Sequence, residues 1–206
     1  MSDPTLYPRA WALLESAGQA ALNAREPEQA LMVLTQACFG LLGDRQRHLQ
    51  PGALKGQERQ FFVAGAFIVT PDRQHHMLVA NVGFPPEQKR LMVPIDGGHP
   101  GHVYASAEKL ILKNTDDHGS FKQYLKSARM GSAILSPMIW QGEFLGQLFM
   151  AAQARHTFGE QDLEVLVAFS RLATAVWVAL EGPAWTRAHA QPEDAFYVAR
   201  EGLRSA

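Results

Sequence analysis

The chain has 206 residues, 47% of them hydrophobic and 19% charged, with a net charge of -1. That length favours one domain with extensions over two, and that apolar share is enough to bury a core. The charge balance does not point to nucleic acid or a membrane surface as a partner. No run is long enough to span a bilayer, no signal-peptide pattern is read, and the one cysteine excludes an intramolecular disulfide framework.

Residues 5–24 read as a helix, with Pro8 tolerated in its first turn and Trp11, Leu14 and Leu22 on a partial apolar face. Pro27 breaks this helix, because the residue before a proline is pushed away from helical geometry. Pro27 then suits the first turn of a second helix, running to about residue 42. Its Leu31, Leu34, Cys38 and Leu41 form one stripe, and Gly43 is a suitable stop. Cys38 sits on that stripe without a cationic neighbour, so we read it as a buried small hydrophobe and not as a reactive thiol. Residues 44–60 are a polar loop. Its Arg45, Arg47, His48, Lys55 and Arg59 read as a solvated face, since no aromatic residues are interleaved with them.

Residues 61–70 and 76–84 read as two strands joined by a turn at 71–74. His75 and His76 are adjacent on a strand and point to opposite faces, so they do not share a metal. A short apolar segment follows at residues 91–95. Next comes Asp96-Gly97-Gly98-His99-Pro100-Gly101-His102, whose glycines and proline demand an unusual backbone path. It lacks the Gly-Lys-Ser/Thr ending of a phosphate-binding loop. The spacing of His99 and His102 would suit a metal on a helix, but the Pro and Gly between them argue for a turn. Residues 109–114 read as a short strand, 115–119 as a loop, and 121–129 as a short helix with Phe121, Tyr124 and Leu125 on one face.

The clearest pattern lies between residues 132 and 180. Two apolar runs, 133–140 and 144–152, flank Gln141-Gly142-Glu143 and read as an antiparallel hairpin. After Phe158 the period changes to about 3.6 residues. Leu163, Leu166, Phe169, Ala173, Val176, Trp177 and Leu180 then fall on one helical stripe. Glu181-Gly182-Pro183 ends that helix. Residues 191–206 read as a short helix with Phe196, Ala199 and Leu203 on one stripe.

Ser132, Pro137, Gly142, Leu145, Gly146, Leu148, Phe158, Asp162, Leu166, Leu172 and Ala173, in this order and spacing, resemble the second half of a GAF domain. The resemblance covers roughly residues 28–180. It implies an α/β (α+β) fold: a mostly antiparallel sheet of about five or six strands, with helices on one face and a small-molecule pocket on the other. Gly98, Gly101 and Val103 fit the family's glycine-rich turn beside that pocket. On this reading residues 1–26 are a helical extension, 27–181 the domain and 182–206 a tail.

Family members sense cyclic nucleotides, bilins, haem, oxoacids or amino acids, or simply dimerise, so the fold alone does not give a function. A few reduce free methionine sulfoxide. Those enzymes need several cysteines near the pocket and an acid in the hairpin strand, where this chain has only Cys38 and Ala133. A covalent bilin needs a cysteine beside the pocket, and Lys113-Asn114-Thr115-Asp116-Asp117 is only a scrambled fragment of the cyclic-nucleotide signature. No nucleophile-base constellation is placed by Ser106, Ser120, Ser132 or Ser136, and His156 reads as a surface loop residue. No cofactor, metal or catalytic residue is assigned. The expectation is a cytoplasmic regulatory domain that binds a small molecule. The alternatives are a dimerisation module without a ligand and, less favoured, a redox enzyme of the methionine sulfoxide reductase type.

Strand alternation sets the expected site. With Ile134, Met138, Leu148 and Met150 toward the helices, Ala133, Leu135, Gln147 and Phe149 face the pocket. By the resemblance, Phe67, His102, Val103, Phe121 and Tyr124 line its other walls. The opposing outcome is that Phe149, Phe121 and Tyr124 meet and leave no room. Beyond its stripe, the last long helix carries Val165, Val167, Leu172, Ala175, Val178 and Ala179, more apolar surface than one buried face uses. Either the first helix caps it, or the terminal helices form a two-fold bundle with a second copy. The homodimer is the expectation.

Overall fold

The computed structural model describes residues 3–118 and 129–198. The helix expected over residues 121–129 falls almost wholly outside them. Two helices come first, α1 (Leu6–Leu22) and α2 (Pro27–Leu41). Pro27 opens α2 at a position that needs no N–H donor, and Glu26 before it is extended, as a residue preceding proline should be. Leu31, Leu34 and Cys38 are buried on one face of α2. Each such leucine contributes about 1.5–3 kcal/mol of burial.

Strands β1 (Phe62–Val69), β2 (His75–Val82) and β3 (Arg90–Pro94) follow. The glycine-rich stretch then forms a helix, α3 (Gly98–Ser106), not the turn that its Pro and Gly suggested. Pro100 lies in the first turn of α3, where its missing N–H costs no hydrogen bond. β4 (Leu110–Leu112) leads across to the hairpin of β5 (Ser132–Trp140) and β6 (Glu143–Ala152). Gln141 and Gly142 both have positive φ, the handedness that a two-residue hairpin turn needs.

The long helix α4 (Glu160–Ala179) is started by Asp162. Its carboxylate accepts from the Gly159 N–H at 2.8 Å and from the Gly43 N–H at 2.9 Å. One side chain thus caps α4 and pins the end of α2 to it. Phe158, four residues earlier, is buried edge-on against Phe62 at 6.3 Å.

Beyond α4 the chain departs from expectation twice. Glu181 adopts a left-handed conformation, and a further helix, α5 (Gly182–His189), begins at once. Pro183, which reads as a stop for α4, sits in the first turn of α5. Residues 195–197 are a strand, β7 (Ala195–Tyr197), and not part of a helix. β7 pairs with β3 in parallel and with it completes a strand order of β4-β5-β6-β1-β2-β3-β7 among the described residues. The sheet therefore has seven strands, more than the five or six expected, and every other pairing is antiparallel.

The main core lies between the sheet and α1, α2, α4 and α5. It joins Ala64, Ala66, Ile68, Ile134, Met138, Leu148 and Met150 to the buried stripes of the helices. α1 lies over α2 and α4. A Cβ added at Gly18 would come within 3.3 Å of Leu172, Tyr7 Oη donates to the Glu164 carboxylate, and the Asp3 N–H donates to Gln161 at 3.0 Å. The extra apolar surface of α4 is thus covered in part by the chain's own first helix.

Candidate functional site

A second, smaller core lies on the opposite face of the sheet, and α3 packs over it. It contains Val63, Phe67, Leu78, Leu91, Val93, Val103, Ala133, Leu135 and Phe149. Strand alternation explains this set. On β5 and β6, Ala133, Leu135 and Phe149 point away from α4, while Ile134, Met138, Leu148 and Met150 point toward it. Phe67 stacks on Phe149 with ring centroids 4.9 Å apart, and Phe84 meets Phe149 edge-on at 6.0 Å.

The structure therefore brings Phe67, Val103, Ala133, Leu135, Gln147 and Phe149 together. His102 is not with them. It is exposed on α3, while His99, Pro100, Gly101 and Val103 turn inward. The reason is helical periodicity. Once this stretch is a helix, His99 and Val103 lie four residues apart on one side and His102 falls off it. Phe121 and Tyr124 lie outside the described residues.

The polar groups of this face are few and buried. Gln147 donates Nε2 to the Pro100 carbonyl at 3.1 Å, tying β6 to α3. His76 has Nε2 3.1 Å from the Ile95 carbonyl, and its ring meets Phe67, Tyr104 and Phe144 at 6.0, 5.8 and 6.5 Å. Burial pushes the His76 pKa down to about 4, against a smaller upward pull from the Ile95 carbonyl. His99 is likewise pushed down to about 4 by burial and by His118 and His102, and its ring lies edge-on to His118 at 5.9 Å. Both rings are uncharged at neutral pH. Sequence reasoning weighed His76 and His99 only as metal ligands. His76 shares the alternation of Leu78, which could have placed it on this face.

A charged cluster among the loops also escaped the sequence. Arg155 has a side chain only 4% exposed and grips Glu58 through both terminal nitrogens. Its Nε donates to Asp116 at 2.9 Å, and Lys55 reaches the same carboxylate at 2.6 Å. The Arg155 and Lys55 hydrogen bonds hold Asp116 down to about 2. Burial raises Glu58, but the Arg155 bond and charge outweigh it and leave its pKa lowered. The cluster joins the loop before β1, the turn after β4 and the loop before α4, three segments distant in sequence.

Among the described residues, no group of three or more His, Cys, Asp or Glu side chains is placed to hold a metal ion. No single helix among them is long and apolar enough to cross a membrane. Cys38 is buried within α2 on the helical side of the sheet, and burial raises its pKa far above the usual thiol range. The fold brings no second thiol to it, since the chain has none.

The comparisons with known proteins agree on the fold. No curated protein matches the sequence. Among solved structures, the chain is similar to the GAF domain of a phosphoenolpyruvate-protein phosphotransferase from Coxiella burnetii. The TM-score is 0.69 at 20% identity, over 86% of this chain and 97% of that one. A GAF domain from the corresponding Acinetobacter protein gives a TM-score of 0.67 at 16% identity, over 88% and 97%. Free methionine-R-sulfoxide reductase from Neisseria meningitidis, in complex with its substrate, gives 0.66 at 18% identity, over 89% and 95%. The family model of the GAF domain matches residues 29–177. With that match spanning most of its length, the chain belongs to the GAF domain family.

Proposed function

We propose that this chain is a regulatory domain that binds a small molecule on the sheet face beneath α3 and relays its state through the terminal helices of a homodimer. One observation carries the reading. The face opposite the long helices is apolar and aromatic, yet it keeps His76, His99 and Gln147 buried among Phe67, Val103 and Phe149. An apolar surface with a few placed polar groups is the usual make-up of a small-molecule site. The relay follows from the sheet having two occupied faces. β1 and β2 pack on α2, and β5 packs on α4, so a shift of β5 or β6 under a ligand bears directly on the helices.

The dimer reading now rests on α1 instead of α4. Trp11 is 75% exposed, Leu22 58% and Tyr7 44%. These three residues lie on one stripe of α1, and this is the apolar surface that a second copy would cover.

A second reading, a dimerisation module without a ligand, is favoured by the stack of Phe149 on Phe67 with Phe84 at its edge, which fills part of the same face. The redox reading has less support. The likeness to sulfoxide reductases is one of fold, and a dithiol cycle has only Cys38 to draw on. Native mass spectrometry of protein purified from its own host separates the first two readings. A retained small molecule supports the sensor, and bare dimers throughout support the scaffold.

A further inference from the structure

Two buried side chains beneath α3 each donate a hydrogen bond to the main chain and leave an acceptor unused. The Pro100 carbonyl can only accept, so the amide of Gln147 is oriented with Nε2 toward it. That leaves Oε1 buried and without a partner. The Ile95 carbonyl likewise accepts only, so the proton of His76 is on Nε2. The ring is neutral, because burial lowers its pKa to about 4, and Nδ1 therefore presents a bare lone pair. Nδ1 too is buried and without a partner. Both residues have a relative exposure of 0%.

The two side chains neighbour the same residue, Phe67. Gln147 lies directly across from Phe67 in the β1–β6 pairing, and the His76 ring is 6.0 Å from that of Phe67. Thr35 Oγ1 and Gln60 Nε2 are also buried without partners, but Thr35 lies on α2 and Gln60 before β1. A buried acceptor left empty is costly, so two on side chains beside one residue point to donors supplied from outside the chain. Lone pairs repel the oxygens of a carboxylate or phosphate, and neither acceptor carries a charge to balance an ammonium.

We infer that the part of the ligand entering beneath α3 is an uncharged hydrogen-bond donor, a carboxamide, hydroxyl or ring N–H, held by Gln147 Oε1 and His76 Nδ1 against the Phe67 ring. This rests on the small-molecule reading above and names the chemistry of that same site.

Three probes of one shape separate the cases: benzamide, which donates, acetophenone, which only accepts, and benzoate, which is anionic. Titrated by calorimetry into the full chain at pH 7, benzamide should bind at least tenfold more tightly than either of the others. In the ¹⁵N spectrum of the histidine rings, the His76 Nδ1 signal should sit at the bare-nitrogen position and move to the hydrogen-bonded position as benzamide is added. His76→Gln identifies that signal by its loss. The spectrum is read on the unaltered chain, so a substitution that fails to fold does not decide the result. Equal binding of acetophenone or benzoate, no binding of any probe, or an Nδ1 already hydrogen-bonded to a buried water that benzamide does not displace would each overturn the inference. If the chain nonetheless retains a molecule from its host, the small-molecule reading stands and only the donor assignment falls. If it retains none and binds no probe, both fall.

Discussion

Gly65 on β1 and Phe149 on β6 sit opposite one another, and a Cβ added to Gly65 would lie 2.6 Å from Phe149 Cζ and 2.8 Å from Leu78 Cδ1. The glycine makes room for the ring that stacks on Phe67. We expect Gly65→Ala to push Phe149 off that stack and to cost about 1–3 kcal/mol, the usual penalty of overpacking. Thermal melting gives the loss, and near-ultraviolet circular dichroism reports the ring. Phe149→Leu should recover part of the loss in the Gly65→Ala background and none in the parent chain. Additive losses would show that the two residues do not compete for one space.

Arg155 bonds to Glu58 and Asp116 at once. Arg155→Met keeps most of the stem and removes the charge, leaving two carboxylates near each other without their main partner. The loss should be about 2–3 kcal/mol, below the full cost of stranding a deeply buried charge, because both carboxylates keep some contact with water. Denaturant melts should show it, with a partial recovery when Glu58→Gln is added. A variant as stable as the parent would mean that the cluster is decoration.

The pH dependence of stability follows from His76 and His99, both held near 4 by burial against an ordinary value of 6.5. Between those values the unfolded chain takes up protons that the folded chain refuses, so stability falls as pH drops. The contribution is complete above pH 6.5 and is lost on the way down to about 4. For His76 that range is worth up to about 3 kcal/mol. Asp116, lowered from 3.8 to about 2, begins to lose its contribution only below this window. Denaturant melts at pH 7, 6 and 5 should therefore slope downward in the parent chain. Replacing His76 with Gln should flatten the slope, and an unchanged slope would remove His76 from the account.

The covering of α4 by α1 and the dimer contact proposed for α1 can be separated in solution. Removing residues 1–25 uncovers Leu172 and its neighbours on α4, and should lower the melting temperature and raise the mass seen by light scattering. Trp11→Glu leaves that cover intact and changes only the exposed side of α1. The intact chain should weigh as a dimer at micromolar concentration and the Trp11→Glu chain as a monomer. Monomers in both intact chains would confine α1 to covering its own domain.

The parts of this fold that could be read locally were those whose cause is local. The hairpin shows its alternation and its Gln141-Gly142 turn, α4 its stripe, and α2 its Pro27 start. The errors have non-local causes. The stop at 181–183 holds, since α4 ends at Ala179, but Pro183 also sits in the first turn of the unexpected α5, whose Trp185 packs beside Trp177. Residues 195–197 are too short to show a period, and their strand is set by β3, about a hundred residues earlier. In the site, alternation placed Ala133, Leu135, Gln147 and Phe149 on one face. The inward turn of His99 instead of His102 depended on α3 being a helix, which its glycines and proline obscured. The Arg155–Glu58 pair spans 97 residues and leaves no trace in any window of sequence.

The place of β7 bears on how the chain comes to be folded. Its bonds to β3, including Val198 N–H to the Met92 carbonyl at 3.0 Å, join the last described strand to one made before α3, the hairpin and both final helices. During synthesis the outer margin of β3 thus stays open until β7 emerges, about a hundred residues later, offering unpaired amides to any extended segment that drifts past. A chain cut short after α5 would carry that open margin for good. It would be the version of this protein most prone to join its neighbours strand to strand.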